Sequence, residues 1–321
     1  MAQNEGLTHR AKVAEGRKGA WQTVHRSQSL TPPGNVAEMT MLTARARAKI
    51  NLFLHTGARR PDGYHGLASW AAFTEIGDDL TATASDTLTL AIDGPFAAGL
   101  PPSTDNLILR AATALAAGQG ATLRLTKHLP VASGIGGGSA DAAATLHLLN
   151  DLWSLKTPFD TLFEIAATLG SDVPVCVYNR SALMSGRGEQ LSAGPALPPL
   201  PIVLVNPGVA LSTADVFARL TERTGAILPR LPEIIEGAPH LAHVLGPTRN
   251  DLEAPAIALA PDIATALDAL RSQPDILLAR MSGSGATCFA LAADNASASA
   301  AAQAIKRARP DWWVAATRLD C

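Results

Sequence analysis

A chain of 321 residues, 47% apolar and 17% charged, has the material for one large or two ordinary domains with a sizeable core, which excludes general disorder. The net charge of −2 and the absence of any lysine- and arginine-rich run give no reason to expect nucleic acid as a partner, and no apolar stretch approaches the roughly 18–20 residues of a membrane span. Three cysteines, Cys176, Cys288 and Cys321, are far apart and odd in number, which argues against a disulfide framework or a Cys-rich zinc site and fits a cytoplasmic location.

Residues 1–42 lack periodicity, are polar and mildly basic, and have no apolar core of a secretory signal. They read as a disordered leader or an over-long start upstream of Met39 or Met41, with an organelle transit peptide as the alternative. Order is expected from Thr43. In "ARARAKINLFLH" (44–55), Ala44, Ala46, Ala48, Ile50, Leu52 and Leu54 alternate with Arg45, Arg47, Lys49, Asn51, Phe53 and His55. That period of two predicts a strand with one apolar face, with Lys49 and Asn51 together on the other. "RRPDGYHGL" (59–67) reads as a turn, and "LTATA" (80–84) and "TLTLAI" (87–92) as paired strands. "DNLILRAATALAAG" (105–118), with an Asp cap candidate and a closing glycine, predicts a helix, and "ATLRLTK" (121–127) a strand.

Further on, Ala142, Leu146, Leu149 and Trp153 fall on one helical stripe, 159–170 is a second helix, and "VPVCVY" (173–178) reads as a buried strand. The second half repeats the mixed character: strand 201–208, helix 212–223, a Pro/Gly-punctuated loop or short helical excursion over 225–247, helix 262–272, strands 276–283 and 288–292, helix 297–308 and strand 312–319. His240 and His243, the one close histidine pair, read as part of that excursion rather than as metal ligands. The pattern is α+β, with a boundary expected around "AGPALPPLP" that divides an N-terminal domain (43–190) from a C-terminal one (191–321).

The chemistry concentrates in "LPVASGIGGGSADAAATLHLLND" (129–151). The run has no Gly-Lys-Ser/Thr ending of a P-loop, and Ser139 stands where a dinucleotide fingerprint needs its third glycine. Gly134, Gly136, Gly137 and Gly138 still allow close backbone approach to a ligand, and the helix behind them points free N–H groups and its positive dipole end at the same place. Ser139 adds a hydroxyl near the first turn. The alternative is a glycine-rich connection packed tightly for steric reasons. A second loop, "MSGSGATC" (281–288), is weak alone, but two such loops indicate a polyanion held from two sides. Neither loop supplies a base or a cation, and Lys49 and Asp172 are the best candidates. Asp172, in "LGSDVPV", would be costly unpaired between a helix end and an apolar run, so it needs a partner, and a lysine suits. Phosphoryl transfer requires such a pair, although a structural cap is the other reading of that aspartate.

These segments, with "ARAKINLFLHTGARRPDGYH", "NPGVALSTADVF" and "RNDLEA", resemble in order the kinase superfamily that includes galactokinase, homoserine kinase, mevalonate kinase and phosphomevalonate kinase. The similarity runs roughly from Ala44 to Arg318, and "AKINLFL" with "DGYH" narrows it to the branch acting on a cytidine diphosphate-linked methylerythritol in the non-mevalonate route to isoprenoid precursors. The resemblance implies a two-domain α+β fold with the active site in the interdomain cleft, a ribosomal-protein-S5-like N-terminal domain and a ferredoxin-like C-terminal domain. It implies ATP as phosphoryl donor, magnesium carried with it, and a nucleotide loop of Pro130, Val131, Ala132, Ser133, Gly134, Ile135, Gly136, Gly137, Gly138, Ser139 and Ala140. Lys49 and Asp172 match the catalytic pair and Asn51 a substrate-side polar residue; Tyr64 and His65 match the residues that hold the cytosine, Phe217 an aromatic opposite, and Thr213 a nearby contact. Three departures stand out: Ala140 replaces a frequent second serine, "GSD" replaces "GAD", and Gly66 occupies a usually acidic position. The rival readings are another small-molecule kinase of the superfamily and a catalytically silent nucleotide-binding protein on its fold.

Overall fold

The computed structural model describes residues 24–27, 40–59, 65–220 and 225–320. Eleven strands form one continuous sheet: β1 (Val24–Ser27), β2 (Thr40–Arg59), β3 (His65–Ala84), β4 (Leu88–Asp93), β5 (Ala121–Thr126), β6 (Ala182–Ser185), β7 (Gln190–Ala193), β8 (Leu200–Asn206), β9 (Ile276–Met281), β10 (Cys288–Ala292) and β11 (Trp313–Leu319). The described helices are α1 (Leu107–Leu115), α2 (Gly137–Leu152), α3 (Phe159–Leu169), α4 (Val173–Tyr178), α5 (Thr213–Ala218), α6 (Ala238–Leu245), α7 (Glu253–Leu259), α8 (Asp262–Arg271) and α9 (Asn295–Ala308). None of them is long and apolar enough to cross a membrane.

The spine is the antiparallel pair of 20-residue strands β2 and β3. β3 also pairs with β5 and β6, and meets β11 at Thr74 and Leu319, where the N-terminal strands pass into the antiparallel order β11-β8-β10-β9. The fold is therefore α+β in two parts, and the linking segment between β7, which ends at Ala193, and β8, which begins at Leu200, falls within the Pro-rich "AGPALPPLP" stretch. β8 is buried along its whole length because its alternate residues serve different cores. Ile202 and Leu204 pack with Ile50, Leu52, Trp70 and Phe289 between the parts, while Val203 and Val205 face the C-terminal core with Ile263 and Leu267.

Several elements differ from the sequence reading. "VPVCVY" is the short helix α4, with all six residues buried. A brief apolar run has the same periodicity whether it is a buried strand or a buried helix. Pro174 in the first turn, where no intrahelical donor is required, favours the helix. α1 is capped by Asn106, whose side chain accepts from the Ile108 N–H, rather than by Asp105. α2 begins at Gly137, inside the glycine run, and buries nearly every residue from Ala140 to Leu149 instead of one stripe. β4 pairs in parallel with β5 and not with the 80–84 segment, which belongs to β3. In β2 the period of two holds through Arg47, but from Ala48 to Gly57 both faces are buried, since the glycine loop covers Lys49 and the C-terminal part covers Asn51, Phe53 and His55. Val24–Ser27, within the stretch read as a leader, pairs with Thr40–Thr43, while most of that stretch lies outside the described residues. β6, β7 and α7 had no sequence signal.

Trp70 anchors the shared core: it is fully buried and donates its indole N–H to the Ser181 hydroxyl at 2.8 Å. Trp70→Ala is expected to cost about 3–5 kcal/mol of stability, read as a lowered denaturant midpoint, because the cavity would open where both parts pack.

Candidate active site

A cleft of about 1430 Å³ opens where β2, the glycine loop, α4 and the second loop meet. Lys49 stands on β2 with its side chain only 3% exposed, and its ammonium donates to the Asp172 carboxylate at 2.9 Å and to the Asn51 side-chain carbonyl at 2.9 Å. Asp172 occupies the N-cap position of α4, yet its side chain makes no capping bond; it turns to the lysine and stays 37% exposed to the cleft. Asn51 is fixed in turn, donating its amide to the Ser69 hydroxyl at 2.8 Å, which donates to the Phe53 carbonyl at 2.6 Å. A buried ammonium needs such partners, and the carboxylate supplies the compensating charge. Below them Cys176 is buried, and burial pushes its thiol up, with Asp172 adding to the effect.

The glycine loop closes directly over this pair. The Lys49 N–H donates to the Ile135 carbonyl at 2.9 Å, and a Cβ at Gly136 (φ 66°) would lie 3.1 Å from the Lys49 Cε. The two loops also touch each other. Thr287 N–H donates to the Ser133 carbonyl at 3.0 Å, the Ser282 hydroxyl donates to the Gly134 carbonyl at 3.2 Å, and a Cβ at Gly134 would sit 2.5 Å from the Ser282 carbonyl oxygen. They form one floor rather than two opposed walls. The steric and functional readings of the glycines thus apply to different residues: Gly134 is required by loop-on-loop packing, whereas Gly138 has no neighbour closer than 3.7 Å to an added Cβ.

Of the sequence candidates, Lys49, Asn51, Pro130–Gly134, Gly136–Ser139, His65, Asp172, Thr213 and Phe217 line the cleft. Ile135 and Ala140 do not; both are buried behind the loop. Tyr64 lies outside the described residues. His65 and Phe217 stack with centroids 5.7 Å apart and planes 27° apart, and the Thr213 and Ser284 hydroxyls lie 2.9 Å from each other. His240 and His243 are on α6, and no group of three or more His, Cys, Asp or Glu side chains gathers as a metal site among the described residues.

A second buried charge cluster was invisible in the sequence. The Lys127 ammonium donates to Asp78 at 2.5 Å and to Asp141 at 2.7 Å, and it lies 3.1 Å from where a Cβ on Gly137 would be. Asp78 also accepts from the N–H groups of His128 and Leu129. Burial pushes the Asp141 carboxyl up to about 7, with Lys127 opposing and Asp78 reinforcing the shift, and its Oδ1 has no hydrogen-bond partner. Burial also works against the charge on Lys127, but the two carboxylates outweigh it and raise the ammonium. These residues are 49 and 14 positions from one another along the chain, so no local pattern marks them.

A lysine–aspartate pair beneath a glycine loop, in a cleft between two α+β parts, is the arrangement expected of a small-molecule kinase. Two family patterns agree: "GHMP kinases N terminal domain" matches residues 106–180 and "GHMP kinases C terminal" matches residues 204–311. The 4-diphosphocytidyl-2-C-methyl-D-erythritol kinase of Cereibacter sphaeroides is 53% identical over 284 residues, spanning 87% of this chain and 99% of its own. The protein of the same name from Methylorubrum extorquens is 50% identical over 291 residues, spanning 88% and 100%. A crystal structure of 4-(cytidine 5'-diphospho)-2C-methyl-D-erythritol kinase matches with a TM-score of 0.71 at 34% identity, covering 87% of this chain and 100% of that one. Homoserine kinase from Cytophaga hutchinsonii shares the fold with a TM-score of 0.63 at 17% identity over 91% and 98% of the two chains. The chain belongs to the 4-diphosphocytidyl-2-C-methyl-D-erythritol kinase family of the GHMP kinases.

Asp141 carries a pH signature. An unfolded aspartate titrates near 3.8 and the folded one at about 7, so the native state holds a proton that the unfolded chain releases. That contribution is therefore present at low pH and lost as pH rises through this window. The denaturant midpoint is expected to fall more between about pH 5 and about pH 8 in the wild type than in Asp141→Asn. An equal fall in both would place the shared proton elsewhere.

Proposed function

We propose that the protein transfers the γ-phosphoryl group of ATP to the 2-hydroxyl of 4-diphosphocytidyl-2-C-methyl-D-erythritol, releasing ADP, in the non-mevalonate route to isoprenoid precursors. The observation that carries this reading is the Lys49–Asp172 pair held by Asn51 at the edge of the glycine floor. The names of the relatives at 44–53% identity support the choice of substrate over mevalonate or homoserine.

In this reading Asp172 accepts the proton of the tertiary alcohol as its oxygen bonds to the γ-phosphorus and the bond from phosphorus to the β-phosphate oxygen breaks. Lys49 holds the carboxylate in place through their 2.9 Å contact and stabilises negative charge at the reacting oxygen. The free N–H groups at the start of α2, with the Ser139 hydroxyl, hold the phosphates. Magnesium would come with the nucleotide, and the Ser139 hydroxyl in the cleft would offer it an oxygen. When bound, the ion would neutralise charge on the transferred group.

The base side has its own logic. The His65 Nδ1 lies 3.2 Å from the Gly57 carbonyl, which can only accept, so Nδ1 donates, and in the neutral ring Nε2 would then be the acceptor. An acceptor there suits the exocyclic amine of cytosine and not the carbonyl of uracil. The stacked His65 and Phe217 rings offer an aromatic surface for the base. Binding energy from this remote contact can position an alcohol that is sterically poor as a nucleophile. A cytoplasmic location accords with the described cysteines, Cys176 and Cys288, both buried and unpaired.

ADP release with ATP and the cytidyl alcohol tests the chemistry. Asp172→Asn is expected to lower kcat by about 10²–10⁴ while the protein still binds nucleotide. Equal rates in the two proteins would remove Asp172 as the base, and no turnover in wild type would favour a silent binder. His65→Ala and Phe217→Ala are each expected to raise KM for the cytidyl alcohol by about tenfold, the loss of one stacking contact, with little change for ATP. The reverse pattern would overturn the cytosine assignment.

A further inference from the structure

Arg249-Asn250-Asp251, between α6 and α7, does not line the cleft, yet it joins the two elements that do the work. Asn250 is 6% exposed and its amide is fully engaged. It donates to the Met281 carbonyl at 2.8 Å and to the Gly283 carbonyl at 2.8 Å, and its oxygen accepts from the Leu252 N–H at 3.0 Å. Those two carbonyls flank Ser282. The Ser282 hydroxyl is the point where the second glycine loop meets the first, through the Gly134 carbonyl, and where it meets the Asn51 N–H at 3.1 Å.

Asp251 faces the other way. Its Oδ2 accepts from the Thr56 N–H at 2.7 Å and the Thr56 hydroxyl at 3.2 Å, and its Oδ1 accepts from Arg249 Nε at 2.6 Å. The main chains are tied as well: Leu54 N–H donates to the Arg249 carbonyl at 3.0 Å and Asp251 N–H donates to the Leu54 carbonyl at 2.8 Å. One residue past Thr56 is Gly57, whose carbonyl sets the ring of His65.

We propose that Asn250 and Asp251 are positioning residues with separate duties, Asn250 setting the second glycine loop for the nucleotide and Asp251 setting the end of β2 and, through Gly57, His65 for the base. Asparagine suits the first place because a short side chain must offer two donors to adjacent carbonyls and one acceptor behind. A carboxylate suits the second because a charged acceptor strengthens its bonds to main-chain and hydroxyl donors at a strand end. The duty given to Asp251 rests on the substrate reading above; the duty given to Asn250 does not.

The alternative, a clamp that merely holds the two parts together, would make both residues affect every constant alike. The test is a set of steady-state constants for both substrates, with ADP binding by calorimetry. Asn250→Ala is expected to raise KM for ATP and weaken ADP binding by about tenfold, the value of one net hydrogen bond at its upper range, and to lower kcat, with KM for the cytidyl alcohol within about twofold of wild type. Asp251→Ala is expected to do the opposite, raising KM for the cytidyl alcohol by about tenfold and leaving ADP binding within about twofold, with Asp251→Asn restoring most of the loss. Should the Asn250 alanine variant not fold, Asn250→Ser keeps one donor in the same place and should show the same pattern to a smaller extent. Parallel changes in all constants in both variants would overturn the proposal, as would unchanged ADP binding on altering Asn250. Failure of the wild type to turn over the cytidyl alcohol would instead count against the substrate reading and leave the ADP arm intact.

Discussion

The Lys49 ammonium is the constraint around which the rest is arranged. It is almost wholly removed from water, so its charge must be met by groups brought from elsewhere in the chain. Asp172 comes from 123 positions away and Asn51 from the same strand face. For the carboxylate to arrive there, α4 must start at Val173 and must be buried, which explains a six-residue helix without a polar face. For Asn51 to hold still, Ser69 on β3 must receive its amide, which fixes the register of the long strand pair at that point. The glycines follow from the same charge: at Gly136 any side chain would press on the lysine's own methylene groups.

The glycine loop has no lysine of its own, but two lysines approach it from below. The methylene groups of Lys49, on β2, approach the loop at Gly136, and the ammonium of Lys127, one residue past β5, approaches it at Gly137. The two are balanced differently. Lys49 has one carboxylate partner, open to the cleft, while Lys127 has two, both buried. The first arrangement leaves its carboxylate facing the cleft. The second seals its proton inside, where it contributes to the rigidity of the loop's base and to the pH dependence of the fold.

What the sequence revealed follows the range over which its signals act. The glycine loop and β8, β10 and α9 are written in local composition and periodicity and were legible within a residue or two, and the strand carrying Lys49 and Asn51 was legible as a strand but about four residues short at each end. The need for a partner to Asp172 was also legible, because a charge in an apolar neighbourhood is a local anomaly. By contrast, α4 was misread because six apolar residues carry no distinguishing period, and the covered face of β2 was misread because most of its cover comes from the other half of the chain. No local pattern marks Asp78, Lys127 and Asp141, and only the folded arrangement of β3, the residue after β5, and α2 brings them together. "RNDLEA" was noticed as a motif, but its work is done by contacts to β2 and the second loop that no spacing shows.

The shared floor of the cleft also governs how molecules reach it. The first loop belongs to the N-terminal part and the second to the C-terminal part, and their hydrogen bonds cross between them at Ser133–Thr287 and Gly134–Ser282. A core containing Ile50, Trp70, Leu204 and Phe289 continues the same junction beneath. A hinge that swung the two parts open would break those bonds and tear that core. The open route into the cleft therefore runs over its rim, and any opening that parted the two halves would first have to break the floor between them.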